Sequence, residues 1–136
     1  MPRVAETIAP VDVEALVIDA LTAAYAGRGE TAKVSTRVPS TRPPRMTRIS
    51  LVNTFRQTPT HFGCSILVEC WAPTEKAASA LARTTYALLF ALDGEDVDGR
   101  HVVGVTEVGG VVSFQDETGA PRYQFTVELL IRGELI

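Results

Sequence analysis

At 136 residues, 46% hydrophobic and 21% charged, the chain is long enough for one domain with its own core and is far from the composition of disordered proteins. A formal net charge of −3 argues against a general nucleic-acid binder. No apolar run approaches the ~20 residues that cross a bilayer, and the start MPRVAETIAP lacks the apolar centre of a signal peptide, so a soluble, unexported protein is expected.

Residues 1 to 11, with Pro2 and Pro10 and no period, are expected to form a flexible arm, and residues 12 to 136 a single domain. Val13, Leu16, Val17, Ala20, Leu21 and Ala24 then share one face at helical spacing. Asp12 is placed to cap that helix, and Gly27 to end it in the left-handed conformation. Lys33 to Val38 and Met46 to Asn53 read as strands on either side of a proline-rich stretch. In Phe62 to Trp71 the residues Phe62, Cys64, Ile66, Val68 and Cys70 form one apolar face, while Leu67 and Trp71 make the other partly apolar, as in a strand covered on both sides.

The second helix starts behind Pro73 with Thr74 as its cap and carries Ala77, Leu81, Thr85, Leu88, Leu89 and Leu92 on one stripe, stopping at Asp93 and Gly94. His101 to Val112 is a valine-rich strand in which Gly104, Gly109 and Gly110 predict a bulge or bend. A turn at DETGAP, Asp116 to Pro121, leads into the clearest strand of all, where Tyr123, Phe125, Val127, Leu129 and Ile131 alternate with Gln124, Thr126, Glu128, Leu130 and Arg132. The order α-β-β-β-α-β-β predicts an α+β fold, a mostly antiparallel sheet of four to five strands with two helices packed on one face. Its other face is then exposed, and the long final strand offers an edge for pairing with a neighbour.

Chemistry is sparse. Cys64 and Cys70, six apart in one strand, stand about 20 Å from each other and cannot pair, so free buried thiols are expected. The candidate metal ligands His61, Cys64, Cys70 and His101 form no zinc spacing, and His61 and Cys64 point to opposite faces of a strand. DGEDVD, Asp93 to Asp98, lacks the ligand order of an EF-hand loop. No Walker loop, G-x-G-x-x-G or G-x-S-x-G is present, so no catalytic residue, cofactor or metal is expected and the chain does not read as an enzyme.

The charge distribution is more informative. From Thr31 to Val68 there is no acid, whereas Lys33, Arg37, Arg42, Arg45, Arg48 and Arg56 all fall there. Pro39, Pro43 and Pro44 hold the arginine segment extended and lower the entropy lost on docking. Guanidinium forks suit carboxylates and phosphates equally. The stacking aromatics of a single-strand binder are missing between Lys33 and Met46, although a small nucleic-acid-binding module remains an alternative. A second copy of the chain is the other possible partner, with the acidic loop as complement in a head-to-tail contact that repeats until it closes into a ring.

Three passages read together, VSTRVPSTRPPRMTRI, VECWAPTEKAASALA and DETGAPRYQFTVELLIRG, resemble the tail terminator proteins of long-tailed bacteriophages and prophages, also called tail completion or tail-to-head joining proteins. The resemblance spans residues 11 to 133, and residues 53 to 62 match nothing in that family. It implies a structural virion protein without a catalytic site, found in the tail neck region and, during assembly, in the host cytoplasm. Such a protein forms a homo-oligomeric ring, commonly a hexamer, that caps the tail tube, ends its polymerisation and presents a surface to the head-tail connector. The implied partners are therefore the tail tube protein and the connector, with no small-molecule substrate and no membrane. Another neck component, a head-completion or connector adaptor protein, is the nearest alternative. On this reading Arg37, Arg42, Arg45 and Arg48 are expected to make contacts between subunits or rings, with Asp93, Glu95, Asp96 and Asp98 as their complements.

Overall fold

A computed structural model describes residues 6–136, so the first five residues of the expected terminal arm lie outside it. Of the rest of that stretch, Ile8–Ala9 forms a short strand, β1, and Val11 is buried. Helix α1, Val13–Arg28, begins where the Asp12 carboxylate accepts the Ala15 N–H at 3.1 Å. Its buried face is Val13, Leu16, Val17, Leu21 and Tyr25, one residue beyond the apolar stripe that the spacing predicts. The helix does not end at Gly27. Its cap is Gly29, two residues further on at φ 71°, because the carbonyls of Tyr25 and Ala26 are satisfied by the N–H groups of Glu30 and Gly29.

β2 (Lys33–Ser35), β3 (Met46–Arg56) and β4 (His61–Trp71) follow. Helix α2, Glu75–Phe90, is capped by the Thr74 hydroxyl on Ala77 N–H at 3.1 Å. It buries Ala78, Leu81, Ala82, Thr85 and Leu89. Its core face is thus turned toward Ala78 and Ala82, whose small side chains let the helix lie close on the sheet, rather than toward Ala77 and Leu88. β5 (Asp96–Val97), β6 (Arg100–Ser113), β7 (Arg122–Arg132) and β8 (Glu134–Leu135) complete the chain.

The main sheet has the order β2-β3-β4-β7-β6-β5, and β1 and β8 form a separate two-stranded ladder. Every pair is antiparallel except β2 with β3. This is the expected α+β architecture, with a sixth strand because two residues of the acidic loop pair with β6. Both helices lie on one face, over Cys64, Ile66, Val68 and Cys70 of β4 and Phe125, Val127, Leu129 and Ile131 of β7. Tyr25 of α1 ties the layers together: its hydroxyl bonds Thr85 of α2 and, at 2.8 Å, Thr47 of β3. Burial pushes the Tyr25 phenol far above its usual range and the Cys70 thiol up to about 12, so both stay neutral at physiological pH.

A second expectation is overturned. The final long strand is not an edge: β7 is hydrogen-bonded on both sides, to β4 and to β6. Chain order and sheet order differ because β7 enters between β4 and β6, and the open stretches of backbone belong to β3 and β6 instead. The glycine-bearing strand β6 shifts register at Val102/Gly104, Glu107/Gly109 and Gly109/Val112, where the bulges were expected.

Candidate functional site

Because β2 and β3 are parallel, the chain must return from Ser35 to Met46, beside Lys33, before it can enter β3. The arginine–proline segment makes that return and lies against the Trp71 end of the sheet, on the face opposite the helices. Register fixes this face: Trp71 pairs with Met46 and Arg122, one residue out of phase with the core-facing Cys70. Trp71 is nevertheless only 2% exposed. The Arg42 guanidinium sits 5.7 Å from its ring centroid and that of Arg122 5.4 Å. Its indole N–H donates to Asp116 at 3.0 Å.

The arginines that look unpaired in sequence are mostly paired in space. Arg45 grips Glu30 with two bonds, Nε to Oε2 at 2.9 Å and Nη2 to Oε1 at 2.6 Å. That hydrogen bond to Arg45 holds the Glu30 carboxyl below its ordinary value and raises Arg45 in turn. Arg48 donates through Nε to the Thr36 carbonyl at 3.2 Å and approaches Glu69 at 3.7 Å. Glu69 itself is a buried carboxylate, met by Arg122 at 3.0 Å. Arg122 also donates to the Phe114 carbonyl at 2.8 Å and lies 5.2 Å from the Phe114 ring. In the turn after β6, one Asp116 oxygen accepts from the Thr118 hydroxyl at 2.6 Å, Thr118 N–H at 2.9 Å and Ala120 N–H at 3.1 Å. The Thr118 hydroxyl bond is the largest cause that lowers its carboxyl to about 2.

The four sequence-predicted arginines thus divide. Arg45 and Arg48 anchor the segment internally, Arg42 stacks on Trp71, and Arg37 is exposed with no side-chain partner among the described residues. Their effect is a stiffened strap that presents Arg37, and one face of Arg42, at the Trp71 corner beside β2. Glu69, Trp71, Asp116 and Arg122, which sequence reasoning did not single out, are the residues that build this corner.

The acidic loop occupies another corner. Asp93 accepts Val105 N–H at 3.1 Å, and Asp96 lies 2.7 Å from His101. Glu95 and Asp98 are exposed without side-chain partners among the described residues, and Asp98 takes a left-handed φ of 51°. β5 pairs with the start of β6, whose Val102 is level with Ile131 and hence with Phe62 near the far end of β4. The basic and acidic corners are therefore diagonal to each other, roughly 30 Å apart along the strands and about 24 Å across them. One subunit does not bring them together.

Among the described residues no group of three His, Cys, Asp or Glu side chains could hold a metal ion. His61 instead bonds the hydroxyls of Thr58 and Thr60 through Nδ1, at 3.2 and 2.8 Å, and Cys64 is buried on the other face. No helix is long and apolar enough to cross a membrane.

No family model and no curated protein sequence matches this chain. Among solved structures it is similar to a chain of the virion of a native gene transfer agent particle, with a TM-score of 0.58 and 20% sequence identity over 89% of this chain and 95% of that one. At that identity the likeness shows a shared fold along nearly the whole of both chains.

Proposed function

We propose that this protein is a structural component of a phage-like virion and, more narrowly, a tail terminator. In this role copies close into a ring, a hexamer, that caps the tail tube, ends its polymerisation and offers the head-tail connector a surface to join. The ring forms in the host cytoplasm and resides at the tail neck. The observation that carries the reading is the fold likeness, end to end, to a chain of a gene transfer agent virion. The charge layout supports it. If the strands run along the ring axis, every subunit turns Arg37 and Arg42 toward one rim and Glu95 and Asp98 toward the other, which provides two unlike surfaces for two unlike partners. Arg45 and Arg48 then contribute as the anchors of the strap, and Asp93 and Asp96 as the frame of the acidic loop.

Deleting the gene in a particle-producing strain and measuring tails by electron microscopy tests the reading. Overlong or headless tails are expected. Tails of normal length joined to heads contradict it, and heads lacking tails of normal composition point instead to a connector adaptor.

A further inference from the structure

Two stretches of sheet edge are open. Among the described residues, the side of β3 away from β4 has no strand beyond Arg48, and the side of β6 away from β7 has none beyond Val102, whose N–H and C=O are taken by Glu95 and Gly94. Both carry exposed apolar side chains: Leu51, Val52 and Phe55 on β3, and Val103, Val108 and Val112 on β6. From this pair of edges we infer that a second copy of the chain docks its β3 edge, Ile49 to Arg56, on the β6 edge, Val103 to Val112, extending one sheet into the next. The inference rests on the ring-forming reading and adds its subunit contact.

Four observations select a second copy as the occupant. First, polarity: three successive antiparallel pairings make β3 and β6 run in opposite directions, so copies related by rotation about one axis meet as an antiparallel pair. Second, level: Val52 is the extra residue between those paired with Ile66 and Ser65, and Val108 lies between the partners of Val127 and Thr126, which are themselves level with Ile66 and Leu67. The two exposed valines therefore face each other to within about one residue's rise of roughly 3.3 Å. Third, length: β2 bounds the open part of β3 at the Trp71 end, and β5 bounds that of β6 at the His61 end, so the two short strands bracket a shared ladder without overlapping. Fourth, charge: side-by-side copies bring Arg56, which has no carboxylate partner among the described residues, to the neighbour's Glu95 and Asp98. At the other end Lys33 and Arg37 come beside the neighbour's exposed Glu117.

Each edge also carries a guard. Glu14 of α1 accepts Leu51 N–H at 2.9 Å, and Asp93 accepts Val105 N–H at 3.1 Å. Carboxylates on open edges discourage indiscriminate strand pairing. Docking exchanges these bonds for carbonyls of the neighbour, a swap of one hydrogen bond for another.

The test uses full-length chains carrying Val52→Cys or Val108→Cys, added to tail tubes singly or mixed and treated with a short bis-maleimide; the native Cys64 and Cys70 are buried. Cross-linked dimer is expected in the mixture and at least tenfold less with either chain alone. Equal cross-linking of Val52→Cys alone, or rings visible by electron microscopy without cross-links in the mixture, overturns the edge contact while leaving the terminator reading in place. No ring from wild-type chain on the same tubes rejects the terminator reading, and this inference with it. As a second readout, Val108→Glu lowers the tube-bound fraction at least tenfold at unchanged melting temperature; tube binding equal to wild type contradicts the inference.

Discussion

The two ends of the sheet use charge differently. At the Trp71 end Glu69 is 6% exposed and Arg122 reaches it, Arg45 clasps Glu30, and Asp116 collects three donors besides the Trp71 indole. At the His61 end Glu95 and Asp98 are exposed, and Arg56 bonds the Pro59 and Ile8 carbonyls over the Phe62 ring, all three without opposite charges beside them among the described residues. Paired charges with little water around them stabilise a shape, whereas exposed ones contribute little to folding and are free to meet a partner. Similar residue types thus serve as scaffold at one end and as surface at the other, with Lys33, Arg37 and Glu117 extending the surface to the scaffold end.

The largest effect should come from removing the hydrogen-bonded partner of the buried carboxylate. Arg122→Ala takes the hydrogen-bonded partner from Glu69 and leaves it only the more distant Arg48 at 3.7 Å, which should cost about 2–3 kcal/mol, read as a fall in melting temperature of roughly 10 °C. A shift as small as that of a surface mutant would mean that the Trp71 end is no scaffold. Arg45→Ala comes next, at about 1–2 kcal/mol, because Glu30 keeps its bond to Ala32 N–H at 2.8 Å and some water. For this reason charge reversal at Arg45 does not isolate an interaction role.

pH sharpens the contrast further. Asp116 is held at about 2 in the folded chain against an ordinary 3.8, and Glu30 is likewise lowered. A depressed carboxyl stabilises the fold above its unfolded value and loses that contribution as pH falls toward the folded value. Melting temperature should therefore be insensitive to these two groups from pH 5 to 8 and should drop between about 4 and 2. Asp116→Asn should melt lower at neutral pH and show a shallower drop, as followed by circular dichroism. The smallest effect on folding belongs to Arg37→Glu, within about 0.5 kcal/mol of wild type. Its effect on tube or connector binding should be the larger one, measured by co-sedimentation with tails. A variant that binds normally would reduce Arg37 to a solvated side chain.

How much of this was legible in sequence depends on the range of the interaction. Local signals worked: Asp12 and Thr74 cap as their spacing indicates, β7 alternates residue by residue, and the glycines of β6 mark its bulges. Two-residue strands such as β1, β5 and β8 have no period to detect. The left-handed cap fell on Gly29 because two glycines offered the conformation and only the pairing of the last carbonyls decides between them. β7 looked like an edge because chain order does not encode sheet order.

The basic segment shows the same limit of a linear reading. Its acid-free window runs from Thr31 to Val68, and the two acids that bound it, Glu30 and Glu69, are the ones that fold back onto Arg45, Arg48 and Arg122. Counting charge along the chain sees an excess where the fold makes pairs. The diagonal placement of the remaining charges follows from strand order and could not be read from a linear pattern.

A terminator stops a growing tube, and tube length reads this out. Purified tail tube subunits from the same particle, polymerised with and without the chain and sized by electron microscopy, should give short tubes bearing a ring at one end when it is present. Tubes that continue to lengthen, uncapped, at saturating amounts of the folded chain would contradict the account.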